Sequence, residues 1–346
     1  MRFTHFESDA VLEPVATGHR VQTGLDFGAQ YRAAYAQSLP TTSFLNSNVS
    51  PNFPYAAQIW ARMWEQVSGE HVDGAVAVDP TVLGYVLAAT GPVTLPSAMV
   101  IDAPNVVSLT EREEYTMFND NLARTAFLIA VLTASSHALI SGRGDANELA
   151  QLMVTASEQQ RLQVWSANSA IEKELAATSY GAVVAPTTRP LIAPVLNNTS
   201  GGKLDYYLTR TLTYHRSGCG PSRDVLITLT LTNSAPAYGL PPYVTDRLDA
   251  NRPANSRPGD YSTLLDYYAT RGAQLLSVRV NGTPTTAAAY TVDGQPMFRL
   301  PVQLRRGATQ TIELHLQEPP GSGAPQIWRQ PGVTPMTVTA YSQSCS

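Results

Sequence analysis

Apolar positions recur every three to four residues in the first half of the chain and every second residue after Gly181. Ile59, Met63 and Val67 fall at i, i+4 and i+8 beside Trp60 and Trp64, which predicts a helix after the loop holding Pro51 and Pro54. Residues 72–78 read as a buried strand. Val82, Tyr85, Val86 and Ala89 then mark a second helix that ends in Thr90-Gly91-Pro92-Val93. The Trp60 helix should pack on this strand, with Trp60 and Val76 in the core. Further helices are expected over 105–115 and 123–139. Asp145 should cap the next one, with Glu148 three residues on. A short strand over 161–165 and a helix over 170–178 follow.

Beyond Gly181 the segments 205–215, 224–232, 274–280, 296–304 and 309–316 alternate with period two. Val225, Ile227, Leu229 and Leu231 form one face of such a strand, and Thr228, Thr230 and Thr232 lie on the other. That is the signature of an antiparallel strand buried on one side. Asn281-Gly282 is a hairpin turn signal. The expected fold class is therefore an α/β or α+β N-terminal domain followed by an all-β, immunoglobulin-like sandwich. The domains are expected over 1–190 and 191–317, with the junction in the Pro- and Thr-rich stretch 184–198. Residues 318–346 read as a flexible tail.

Composition narrows the function classes. A formal net charge of −4 at pH 7 carries no field that would gather nucleic acid. Only Lys173 and Lys203 are lysines among the 23 basic residues. No run of 18 apolar residues exists, and the first ten residues are not a signal peptide, so any anchor or export signal would lie upstream of Met1. Cys219 and Cys345 either pair across a long loop, as suits an exported protein, or are both free.

Candidate chemistry is sparse. Asp73 and Asp79 flank one strand at an even spacing, so both carboxylates could face a Mg²⁺ ion and a phosphate; the simpler roles are a turn at Asp73-Gly74 and a helix cap at Asp79-Pro80. Asn48 and Asn52 bracket the proline-stiffened loop and either orient a ligand or fix an Asx-turn. Lys203 and Asp205, two apart at the start of a strand, suit a phosphate or carboxylate, or form an ion pair that docks one domain on the other. Arg62 is a further candidate ligand-binding residue, and with Arg32, Arg112 and Arg124 it supplies the arginines a phosphotransferase would need. The histidines, among them His5 and His19, show no zinc-ligand spacing, and no P-loop or nucleophile elbow occurs. No metal and no cofactor are expected, except Mg²⁺ for a transferase.

An ordered set of motifs carries a family resemblance: Asn48-x-x-Pro51-x-Phe53-Pro54, Trp60, Asp73-Gly74, Asp79-Pro80 and Thr90-Gly91-Pro92-Val93. With Lys203-x-Asp205-Tyr206-Tyr207 and Gly239-Leu240-Pro241-Pro242-Tyr243, it resembles domain-of-unknown-function family 4012. Those are cell-envelope proteins of actinobacteria and other Gram-positive bacteria. Members usually begin with a transmembrane helix and carry an Arg-x-x-Gly-Gly segment, and neither is present in this sequence. The stretch 48–96 also resembles LytR-CpsA-Psr phosphotransferases in its order of elements. The resemblance implies an extracytoplasmic envelope protein that binds or organises a cell-wall glycan. The alternatives are a transferase acting on a polyprenyl-pyrophosphate-linked glycan and a non-catalytic scaffold for other proteins.

Overall fold

The computed structural model describes residues 6–12, 21–249 and 252–345; His5 and His19 lie outside them. The chain forms two compact units. One comprises residues 1–27 and 35–183, the other residues 28–34 and 184–346. The first is rich in helices and the second is mostly sheet, as the change of period predicts.

The helix α1 (Gly28–Tyr35) contributes residues 28–34 to the second unit. In the first unit, α2 (Phe53–Ser68) starts at Asn52 with Pro54 in its first turn and stops at Gly69, whose φ is +76°. Strand β1 (Gly74–Val78) follows, then α3 (Pro80–Thr90). The short strands β2 (Val93–Thr94) and β3 (Val100–Ile101) pair antiparallel. Next come α4 (Val106–Ser108), a π-turn over Leu109–Glu113 and α5 (Glu114–Met117). Helices α6 (Asn121–Ile140) and α7 (Ala146–Glu158), strand β4 (Leu162–Ser166) and helix α8 (Ser169–Leu175) complete the unit. Asp145 caps α7 by accepting from the amides of Asn147 and Glu148. Helix α6 is long and apolar enough to cross a membrane by length and composition alone. Its Phe127, Val131 and Ala138 nevertheless sit in the core beside Leu87, Leu95, Ile101 and Val106.

β1 pairs antiparallel with β4, with Val76 opposite Val164. Here the expected core assignment for Val76 is corrected. Ala75 and Ala77 face α2, while Val76 is 61 % exposed. Alternation along a strand sends neighbours to opposite faces, and it is the alanines that pack with Phe53, Trp60 and Trp165. Trp60 is half-buried there, stacked edge-on against Phe53 and donating from Nε1 to Ser47 Oγ at 2.7 Å. Trp60→Ala should lower the unfolding free energy by about 2–3 kcal/mol, below the cost for a fully buried tryptophan. Urea denaturation checks this; an unchanged midpoint would remove Trp60 from the core.

The second unit holds a six-stranded and a five-stranded sheet. Strands β5 (Leu191–Asn198), β6 (Leu208–Ser217) and β7 (Arg223–Asn233) lead to the short helix α9 (Pro242–Thr245). β8 (Tyr261–Tyr268), β9 (Gln274–Val280), β10 (Thr283–Thr285), β11 (Ala288–Val292), β12 (Gln295–Leu304) and β13 (Thr309–Glu318) follow. The last strands are β14 (Gln326–Ile327) and β15 (Thr337–Ser342). The strand orders are β10-β9-β13-β7-β6-β15 and β11-β12-β8-β5-β14. The Asn281-Gly282 turn joins β9 to β10 with both residues at positive φ, as a two-residue hairpin of this type requires. Residues 318–346, expected as a flexible tail, instead supply β14 and β15, both paired in parallel with earlier strands. Pairing with Cys219 fastens this segment, the Cα atoms lying 5.5 Å apart. That resolves the two alternatives for the cysteines.

Candidate functional site

The residues singled out from sequence fall into separate local roles. Asn48 is exposed, and Asn52 is buried at the start of α2, where its amide donates to Ser50 Oγ. Arg62 pairs with Glu65 one turn along α2. Arg112 pairs with Glu113, and Arg124 donates to Asn121 and to the Phe118 carbonyl. Asp73 is exposed, and its carbonyl accepts the Ala167 amide at 2.8 Å. Asp79 caps α3 through the Val82 amide and pairs with the buried Arg161, which also donates to Thr81. The cap reading accounts for Asp79. Lys203 and Asp205 precede β6 rather than opening it, with Asp205 in a turn of 3₁₀-helix. Asp205 accepts from Tyr261 Oη at 2.7 Å and from Asn198 Nδ2 at 2.6 Å. Among the described residues no ion pair joins Lys203 to Asp205; the carboxylate holds a hydrogen-bonded corner instead. Among the described residues no group of three or more His, Cys, Asp or Glu side chains is placed to hold a metal ion.

Two features of the second unit stand out. The first is the outer face of the six-stranded sheet. Inward positions of β6 and β7 are buried, and the outward ones carry Thr209, Thr211 and Thr213 opposite Thr232, Thr230 and Thr228. β13 adds Thr309 and Thr311 in register with Thr232 and Thr230, and β15 adds Thr337 and Thr339 beside Thr211 and Thr213. Thr232 and Thr309 share a hydrogen bond of 2.8 Å; among the described residues the remaining hydroxyls of this set have no partner. Hydroxyl and methyl groups thus repeat about every 6.6 Å along strands set roughly 4.8 Å apart. Tyr341, 57 % exposed, ends the array and lies against His215. Period two exposed part of this face in the sequence, but only the register of four strands assembles it.

The second feature is a cavity of about 540 Å³ between the β6–β7 turn, the loop 320–324 and the C-terminal segment. Arg216 and Arg223 line it although both are at least nine-tenths buried. Arg216 donates to the carbonyls of Gly321 and Pro319 at 3.0 and 2.9 Å and lies 3.4 Å from Glu318. Arg223 donates to the carbonyls of Ser217 and Gln343 and has no carboxylate partner among the described residues. Burial and the neighbouring Arg216 push its guanidinium below the ordinary range. Burial raises Glu318 above the ordinary carboxylate range, against hydrogen bonds from Thr270 and Tyr214 and the charge of Arg216. Gly321 is required where it stands, because a Cβ would come within 2.5 Å of the Thr188 carbonyl.

A helix-rich unit joined to a unit of two sheets defines the class of this protein. Residues 3–115 match the family described as protein of unknown function, DUF4012. The motifs at Lys203 and Gly239 lie beyond the matched residues. No curated protein matches the chain. A solved structure from Legionella pneumophila, described as a nutrient binding protein, is 9 % identical with a TM-score of 0.23; the match covers 39 % of this chain and 44 % of that one. An M1 zinc metallopeptidase from Deinococcus radiodurans is 16 % identical with a TM-score of 0.16; the match covers 36 % of this chain and 20 % of that one. The chain thus spans less than half the length of either.

Proposed function

We propose that this chain is an extracytoplasmic cell-envelope protein that binds or organises a surface glycopolymer, and that its sheet unit is an immunoglobulin-like sandwich serving as the binding module. The threonine-paved face carries the reading. A polysaccharide presents repeating hydroxyls and C–H faces, and threonine answers both with one hydroxyl and one methyl. β-Branched side chains are stiff about χ1, so little rotamer entropy is lost when the array meets a ligand. Tyr341 adds a rigid aromatic surface at the end of the array for a sugar ring to lie against. The Cys219–Cys345 pair supports an oxidising compartment.

Affinity electrophoresis through gels holding neutral polysaccharides tests this proposal. The protein should be retarded by at least one of them. Replacing Thr211 and Thr230 with valine, which keeps shape and removes the hydroxyls, should weaken retardation roughly tenfold, and Tyr341→Ala should do the same. Unretarded mobility in every gel, or equal retardation of wild type and the valine pair, would overturn the proposal.

A further inference from the structure

We propose that the cavity between the β6–β7 turn, the loop 320–324 and the C-terminal segment is a binding site for one monoanionic oxyanion group, a carboxylate or a phosphodiester. The inference goes beyond the threonine face and does not depend on it. Arg216 and Arg223 bring two guanidinium groups to one cavity wall. Glu318 meets Arg216 alone of the two, and it also accepts from Tyr214 and Thr270. Among the described residues one positive charge is left without a counter-charge in a recess where screening by water is weak.

The unused donors point the same way. Arg223 spends Nε on the Ser217 carbonyl and Nη2 on the Gln343 carbonyl. Among the described residues its Nη1 has no hydrogen-bond partner, and the residue is 5 % exposed overall. A buried guanidinium held rigidly by two backbone carbonyls is pre-organised, so binding costs little further rotamer entropy. The rim is small and polar, with Ser322 between two glycines and Ser344 beside the disulfide. This suits an oxyanion carried on a larger hydrophilic molecule better than an apolar ligand. One wall consists of residues 342–345, which the Cys219–Cys345 bond ties to the β6–β7 turn. In β15, Ser342 stands opposite Arg216 and Tyr341 opposite His215, so the cavity opens at the same end of the sheet as the aromatic end of the threonine array. An acidic residue of a bound glycan could therefore enter it.

Nuclear magnetic resonance of the full chain tests the site, with the arginine Nε–Hε signals as the readout. The probes are sodium glucuronate, dimethyl phosphate and neutral glucose. The Arg223 Nε–Hε signal should shift saturably with at least one anion and stay fixed with glucose. Glucuronate acting alone identifies a carboxylate site, and dimethyl phosphate acting alone a phosphodiester site. Arg223→Gln should weaken the binding at least tenfold, and Arg223→Lys should restore part of it. Reduction of the disulfide should weaken it as well, because the C-terminal wall is then released. The wild-type shift needs no variant, so a misfolded Arg223→Gln does not block the test. An Arg223 signal that ignores both anions overturns the site, as does equal affinity of wild type and a folded Arg223→Gln. Because these probes are monomeric, failure here leaves polysaccharide retardation by the threonine face unaffected, and the reverse also holds.

Discussion

Glu318→Ala should lower the unfolding free energy by about 3–5 kcal/mol at neutral pH. Glu318 is 1 % exposed and receives Tyr214 Oη and Thr270 Oγ1, each at 2.8 Å, with Arg216 beside it. Removing the carboxylate strands two buried hydroxyls and leaves Arg216, itself 2 % exposed, with no counter-charge. Glu318→Gln separates charge from hydrogen bonding. Burial raises the folded-state pKa of Glu318 above its ordinary value. Wild type therefore holds an increment of stability below the ordinary carboxylate range, and loses it as pH climbs through the folded value. Glutamine cannot titrate, so the stability gap between wild type and Glu318→Gln should narrow between about pH 4 and 7. Urea denaturation at several pH values measures the gap. A gap that widens with pH would mean that Arg216 dominates over burial and that the carboxylate is held ionised.

The same inward positions explain what could and could not be read from the chain. β7 was legible because one face is buried and the other wet, so Val225, Ile227, Leu229 and Leu231 alternate with polar residues. β8 lies between β12 and β5 and is buried on both faces, so Tyr261–Tyr268 carries no period of two. β5 reads as a Pro-containing linker for a similar reason. β15 exposes most of its residues, and long-range pairing with β6 together with the disulfide holds it. The period of β1 is legible, but which of its faces is buried is not. Alternation defines two faces, and only the neighbouring helix decides that Ala75 and Ala77, not Val76, turn inward.

The cavity shows the same limit. Arg210 and Arg216 keep step with Leu208, Leu212 and Tyr214 along β6, and this was the available signal: charge at positions where the strand's own period demands burial. Such a residue needs a partner, and sequence does not name it. Arg216 finds Glu318 and the Pro319 and Gly321 carbonyls about a hundred residues away, through the pairing of β13 with β7 and the loop that follows. Asn48, Arg62, Asp73 and Lys203 are conspicuous in the sequence by type and motif. In the fold they serve a loop, a surface pair, a strand start and an exposed turn.

Arg299→Ala should cost about 3–5 kcal/mol at neutral pH, because Asp266 is 0 % exposed and Arg299 is its ionic partner. The guanidinium meets the carboxylate with two parallel bonds, Nε to Oδ1 at 2.6 Å and Nη2 to Oδ2 at 2.7 Å. Its third nitrogen donates to the Ala34 carbonyl in the last turn of α1, where a cation is favoured by the helix dipole. The arginine also lies over the Tyr290 ring at 5.2 Å. One side chain therefore joins β12, β8 and the helix that the N-terminal region lends to the sheet unit. Burial raises Asp266 above its ordinary carboxylate value even with Arg299 present, and loss of the guanidinium should raise it further. The variant should thus lose stability as pH rises from the acid side, and its deficit against wild type should be smallest in acid, where a neutral Asp266 no longer needs the cation. The double variant Arg299→Met with Asp266→Leu removes both charges at similar volume and should regain most of the loss, since a desolvated ion pair contributes little beyond a packed apolar pair. Hydrogen exchange separates the two roles of Arg299. The amides of α1 should exchange faster in both variants, because neither can reach the Ala34 carbonyl, while those of β8 should recover in the double variant. If the double variant stays as unstable as Arg299→Ala, the hold on α1, not the buried charge, is what Arg299 contributes.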